Sequence, residues 1–210
     1  MGKIVVSENV TLDGVVQDPT GEQGFTRGGW FDEISDADRE AWATTEYEEA
    51  MRAEAVLLGR KSDDFFGRRW NGRRGPWADR LNRLPKYVVS TTLVDPVWSN
   101  STVLVGNVVS EVSRLKREID GDILVYASRQ LVHTMIEHDL VDELRLMIYP
   151  VVLGAGERLF GETGGRKAVR LLSSRTVGEG LAYLTFELNG NRGAPSGLPP
   201  GQSSLPVLRT

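Results

Sequence analysis

Three polar clusters, each following a short apolar run, are the residues best suited to chemistry. Gly59, Arg60, Lys61 and Ser62 follow "AVLL" (55–58); Ser90, Thr91 and Thr92 follow "KYVV" (86–89); Ala127, Ser128 and Arg129 follow "DILVY" (122–126). Each reads as a strand end that turns into a helix or loop. A helix that starts at such a point aims unpaired N–H groups and a partial positive charge at whatever lies above the strand end. Two cations and a hydroxyl at 60–62 add ligands for a phosphate, and small residues let a ligand approach the backbone closely. One junction of this kind is equally well read as the plain end of a strand. Three in one sheet weigh more, because ligands of open α/β sheets gather at the carboxyl ends of strands. The extended anionic backbone of a dinucleotide could touch all three.

Other chemistries find less support. The chain has no cysteine, which excludes disulfides, thiolate nucleophiles and Cys-ligated zinc. His133 and His138 are five residues apart on one predicted helix, not the i, i+4 spacing of a helical metal pair. No Gly-x-Ser-x-Gly nucleophile turn is present. Neither a metal nor covalent catalysis is expected. "GRRWNGRRGPWADRLNR" (67–83) sets Arg68, Arg69, Arg73 and Arg74 among Trp70 and Trp77. It reads as a nucleic-acid contact, as a mobile loop near an anionic substrate, or as a solvated loop paired with the acidic helix before it.

The elements that position these clusters follow from the hydrophobic pattern. Apolar runs at 3–7, 55–59, 86–90, 102–106, 122–127 and 143–154 suit buried parallel strands. Helical spacing covers 35–54, with Ser35 as N-cap, and also 109–120 and 128–140. Segments 168–177 and 181–188, joined through Gly178-Glu179-Gly180, read as an antiparallel hairpin. The fold class is therefore α/β: a mixed, mostly parallel central sheet, helices on both faces, and a closing hairpin.

The chain is 210 residues long, 40% hydrophobic, with a net charge of −4. That suits one domain over 1–188, and the Gly/Pro/Ser-rich stretch 189–210 reads as a disordered tail. The acidic balance argues against a nucleic-acid or membrane-surface partner. No run reaches the ~18 apolar residues of a membrane span. A cytoplasmic location is expected.

Four segments resemble the dihydrofolate reductase-like superfamily, and in particular the riboflavin-biosynthesis reductase (RibD C-terminal) type of domain. They are "SENVTLDGVV", "LLGRKSDDF", "KYVVSTT" and "GDILVYASRQLVHTMIEHDLVDELRLMIYPVVLGAGERLF", in that order. "LVDELRLMIYPVVLGAGERLF" (140–160) is the most specific, and the resemblance spans about 3–188. It implies a three-layer fold and an NADPH-dependent reductase acting on a pteridine or a ribosylaminopyrimidine. It assigns cofactor phosphates to Gly59, Arg60, Lys61 and Ser62, the adenosine 2′-phosphate to Ser90, Thr91 and Thr92, and the pyrophosphate to Ala127, Ser128, Arg129 and Gln130. Leu12, Asp13 and Gly14 would lie near the nicotinamide. Ala127 stands where the family has glycine, so a methyl could crowd the pyrophosphate or oppose a positive φ. The family's buried substrate carboxylate would fall on the helix after the first loop, where the spacing singles out none of Asp32, Glu33, Asp36 and Asp38; Asp32 and Asp36 are carried as candidates. Trp30, Met147 and Tyr149 are candidate pocket residues, each equally readable as core. The resemblance also implies a homodimer with "DELRLMIYP" (142–150) near its interface. The alternative function is a non-catalytic nucleotide-binding or interaction protein that keeps the fold.

Overall fold

A computed structural model describes residues 1–161 and 163–188. The expected tail, 189–210, lies outside the described residues. Eight strands form one sheet in the order β4-β3-β2-β5-β1-β6-β8-β7. They are β1 (Lys3–Thr11), β2 (Ala53–Gly59), β3 (Lys86–Val89), β4 (Ser101–Leu104), β5 (Asp122–Tyr126), β6 (Glu143–Tyr149), β7 (Val169–Val177) and β8 (Leu181–Leu188). The first six are mutually parallel; β8 and β7 close the sheet as an antiparallel hairpin.

Strand alternation divides the core in two. Val5, Val56, Leu58 and Leu124 pack against helices α1 (Asp36–Arg52), α2 (Arg60–Trp70) and α3 (Pro76–Arg83). Ile4, Val6, Leu57 and Val125 pack against α4 (Val108–Glu118) and α5 (Arg129–Glu137). This is the expected three-layer α/β fold. Ser35 caps α1 as expected, its hydroxyl accepting from the Asp38 amide.

Two boundaries differ from the sequence reading. The apolar run 143–154 leaves the sheet at Pro150, and the Leu12 amide donates to the Val151 carbonyl, tying the first loop to this segment. The Arg/Trp stretch 67–83 is largely helical: α2 runs to Trp70, and α3 starts with Pro76 at its first turn, where a missing N–H costs nothing. Its arginines do not seek the acids of α1. Arg80 donates to the Ala50 and Ala53 carbonyls at the end of that helix, Arg68 pairs with Asp64, and Arg69 pairs with Glu22. Among the described residues, no helix is long and apolar enough to cross a membrane.

Candidate functional site

The three polar clusters meet at one edge of the sheet. β2, β3 and β5 are neighbours or next neighbours, so their carboxyl ends lie side by side. The Gly59 amide donates to Ser128 Oγ at 2.9 Å, and Ser128 Oγ donates to Ser62 Oγ at 2.8 Å. Arg60 Nη1 donates to Thr92 Oγ1 at 3.3 Å. The Ser90 hydroxyl accepts from the amides of Thr92 and Leu93, which folds 90–93 into a tight turn. Thr91 and Gln130 are exposed beside these groups. Arg60 and Lys61 are exposed and have no acidic partner among the described residues. The start of α2 leaves the amides of Arg60, Lys61 and Ser62 without intrahelical acceptors.

The turn between β5 and α5 shows which backbone Ala127 adopts. Ala127 and Ser128 both take left-handed backbone, with φ of 51° and 63°. The positive φ that glycine would supply is therefore reached without glycine, at a cost of about 1–2 kcal/mol for such a residue.

Leu12, Asp13 and Gly14 sit at the carboxyl end of β1, the strand beside β5. Leu12 is 65% exposed, open to contact. Asp13 is fully engaged. It accepts from Thr11 Oγ1 at 2.7 Å, the Gly154 amide at 2.8 Å and the Leu153 amide at 3.2 Å. Its carboxyl is held down at about 2, chiefly by the Thr11 hydroxyl, against an opposing effect of burial. Asp13 is a clasp between loops rather than a free base. Arg129 is paired with Glu157 on the facing loop at 2.9 Å.

The substrate-side candidates sort differently. Asp32 is an exposed partner of Arg39, and Asp36 is exposed at the start of α1, so neither is the buried carboxylate. Acids at a helix start are favoured by the dipole and stay in water. Asp38 accepts from the amides of Glu179 and Gly180, pinning the hairpin turn. Trp30, Met147 and Tyr149 do come together, but as a sealed core cluster, each no more than 1% exposed. The Trp30 indole donates to the Gln17 carbonyl, while the buried Tyr149 hydroxyl has no partner among the described residues. Four half-buried rings, Phe31, Trp42, Trp77 and Trp70, lie in a row with centroids 4.8, 5.9 and 5.0 Å apart. Trp42 donates to Asn9 Oδ1 of β1 at 2.9 Å, which fixes the row over the carboxyl end of the central strand.

The sequence reading missed two acids. Glu46 lies one turn along α1 from Trp42, buried and without a hydrogen-bond partner among the described residues. Burial, then the neighbouring Glu49 and Glu8, push its carboxyl well above the usual range, against Arg145. Glu8 is buried on β1, the central strand, and burial raises its carboxyl to about 8. Both signals were present: an acid inside the apolar run "KIVVSENVT", and an acid four residues from Trp42 on one helix face. Glu49, by contrast, is committed to the Tyr183 hydroxyl and Arg145.

His133 meets the Leu159 carbonyl and His138 the Thr134 carbonyl. Among the described residues no group of acids and histidines could hold a metal ion.

The profile of the RibD C-terminal domain matches residues 2–183. The chain belongs to the RibD C-terminal domain family. The uncharacterized protein YyaP of Bacillus subtilis (strain 168) is 30% identical over 193 residues, covering 90% of this chain and 96% of YyaP. Among solved structures, RibD of Acinetobacter baumannii superposes with a TM-score of 0.64 at 13% identity, covering 90% of this chain and 58% of that one. Dihydrofolate reductase from Enterococcus faecalis, complexed with NADP(H) and RAB-propyl, superposes with a TM-score of 0.52 at 13% identity, covering 89% and 96%. At these identities the superpositions speak for the fold. A RibD C-terminal domain with a dihydrofolate reductase-like sheet thus carries the three joined strand ends described above.

Proposed function

We propose that the protein is an NADPH-dependent oxidoreductase that reduces a small flat heterocycle of the pteridine or ribosylaminopyrimidine class. One observation carries the reading: hydrogen bonds knit the ends of β2, β3 and β5 into a single polar edge on which Arg60 and Lys61 have no acidic partner among the described residues. The residues fit a dinucleotide. The helix starts at Arg60 and Arg129 and the hydroxyls of Ser62, Ser90 and Thr92 would hold its phosphates. When bound, NADPH supplies a hydride; the chain's part is to hold, orient and exclude water. The row Phe31-Trp42-Trp77-Trp70 offers stacking surface for a heterocycle. Burial, and then the charges of Glu49 and Glu8, raise the Glu46 carboxyl beside that row well above the usual carboxylate range, which favours its protonated form. Membership of the RibD C-terminal domain family and the NADP(H)-bound dihydrofolate reductase among the similar structures support this reading.

Calorimetric titration with NADPH and, separately, NADH tests it. Wild type should bind NADPH in the micromolar range or tighter and prefer it to NADH. Arg60→Ala should weaken NADPH at least tenfold, the loss of about 1.4 kcal/mol or more expected for a charge-assisted phosphate contact. No binding of either cofactor at millimolar concentration would refute the reading; binding without turnover on any heterocycle would favour the non-catalytic alternative.

We infer further that two copies pair through the hairpin. β6 lies inside the sheet; its free edges are β4 and β7, and eight of the nine residues of β7 are exposed. Val169, Leu171 and Leu172 are 48%, 52% and 43% exposed, an apolar strip of the kind that marks an interaction surface. Leu171→Asp with Leu172→Asp should convert a dimer to a monomer in light scattering after size exclusion. A wild type that runs as a monomer at 50 micromolar or so, far above the Kd of a stable dimer, would end the idea.

A further inference from the structure

A cavity of about 670 Å³ opens between α1 and the closing hairpin, a size usual for a small-molecule site. Thr45, Glu48 and Arg52 line it from one face of α1, and Arg175 lines it from β7. Asp122 and Glu143, the first residues of β5 and β6, lie at one end. The cavity therefore faces the amino ends of the strands. The polar edge described above lies at their carboxyl ends, and the two share no residue.

The acids at the strand ends are already committed. Arg145 of β6 donates through Nε to Glu143 at 2.6 Å and through Nη2 to Asp122 at 3.0 Å, and Glu49 lies 3.6 Å from its Nη1. Several carboxylates around one guanidinium leave this end of the cavity negative. The other charged groups have no ionic partner among the described residues. Glu48 and Arg52 have the i, i+4 order that favours an ion pair. Asp64 and Arg68 have the same spacing and do pair, whereas Glu48 and Arg52 stay apart and exposed. Arg175 also lacks an acid, yet it is held in place. Its Nη2 donates to Thr45 Oγ1 at 3.1 Å, and its guanidinium lies 4.7 Å from the centre of the Tyr183 ring. The Thr45 hydroxyl gives its own proton to the Ala41 carbonyl at 3.0 Å, so it meets Arg175 as an acceptor. That contact uses one of a guanidinium's five N–H donors. The rest form a fixed fork of the kind that matches a carboxylate.

Two cations and one acid without ionic partners complement two carboxylates and one ammonium. We propose that this cavity is a second binding site and that it takes an acidic amino acid. The carboxylates lie on Arg175 and Arg52, and the ammonium lies on Glu48. The negative end adds discrimination: it attracts an ammonium and repels a dicarboxylate that lacks one. The site is independent of the cofactor reading, because it uses none of the same residues.

Calorimetry on the full chain tests this, with L-glutamate and L-aspartate as titrants beside glutarate and succinate, the same skeletons without the ammonium. One of the amino acids should bind with a Kd of about 1 mM or tighter, and its counterpart should bind about tenfold more weakly. Arg52→Gln and Arg175→Gln should each weaken the amino acid about tenfold, the loss of a charge-assisted contact. Urea unfolding shows that the variants fold, and Arg52, exposed at the end of α1, can be changed without disturbing the core. Glu48→Gln should weaken the amino acid and not its counterpart, so the preference should shrink to about threefold or less. Phenylglyoxal labelling read by mass spectrometry locates the site: the bound amino acid should shield Arg175. Absence of binding at about 10 mM overturns the proposal. So does equal affinity for the amino acid and its counterpart, unchanged affinity in both arginine variants, or labelling of Arg175 that the bound amino acid leaves unaltered.

Discussion

Glu8→Gln should raise the stability of the fold by about 4 kcal/mol at pH 8 and leave it nearly unchanged at pH 4. Glu8 sits on the central strand, paired with Leu146 of β6 and one residue beyond the last pair with β5, Ser7–Tyr126. Strand alternation places it with Val6 and Val10, both in the core under α5. It has no hydrogen-bond partner among the described residues, and burial lifts its carboxyl from 4.5 to about 8. In the unfolded chain it loses its proton near pH 4.5; in the folded chain it keeps it until about pH 8. Across that window the unfolded state binds fewer protons, so stability falls as pH rises, by about 1.4 kcal/mol per pH unit at most. Glutamine mimics the protonated carboxyl and has no such slope. Glu46 is raised in the same direction and will leave a residual slope in the variant. Urea unfolding between pH 4.5 and 8.5 reads the difference directly. Parallel pH profiles for wild type and Glu8→Gln would show that Glu8 ionises freely in the folded protein.

An acid that weakens the fold at neutral pH is where local pattern and function part company. The same tension explains what could be read from the sequence. Strand positions were legible because runs such as "AVLL" and "DILVY" are apolar on both faces, and only a parallel sheet covered by helices buries both. The junctions at Gly59 and Ala127 were legible from small and polar residues after such runs. Their connection was not: Ser128 and Ser62 are remote in sequence, and nothing local announces two left-handed residues without glycine. Helix α3 was hidden because "GRRGPWADRLNR" puts charge and glycine around a single turn of apolar residues, while Leu81 and Ala78 supply the buried face only after folding. The four acids from Asp32 to Asp38 look alike in the sequence because acids near a helix start are so often solvated. Asp38 is itself buried, under the hairpin turn, and two more buried acids, Glu46 and Glu49, lie further along, on the face that carries Trp42 and Ala50. Trp30, Met147 and Tyr149 suit a pocket or a core equally by sequence, and their packing against one another makes them core. Periodicity shows which side of an element is buried, but not whether a ligand or a neighbouring ring does the burying.

Asp13→Ala should cost about 2–3 kcal/mol of stability at pH 7 and loosen the loop that borders the proposed nicotinamide position. The carboxylate is the hub of that loop. It takes the Thr11 hydroxyl and the amides of Leu153 and Gly154, while Arg158 Nε donates to the Asp13 carbonyl at 3.0 Å. Thr11 in turn accepts the Val15 amide at 2.9 Å through the same hydroxyl, so the turn 11–15 and the segment 153–158 are held by one acid. Removing it leaves the amides of Leu153 and Gly154 to find water and frees the Thr11 proton. Asp13→Asn keeps one acceptor oxygen and should lose about half as much. The pH dependence gives a second check, opposite in sign to that of Glu8. The folded carboxyl titrates at about 2 and the unfolded one near 3.8, so this stabilisation is complete above pH 4 and is lost as pH falls toward 2. Wild type should therefore lose more stability than Asp13→Ala between pH 4 and 2. NADPH affinity should drop in Asp13→Ala even where the protein is fully folded, because Leu12 and Gly14 are positioned by a residue that need not touch the ligand. A variant that unfolds at the wild-type urea midpoint at pH 7 would show the clasp to be dispensable.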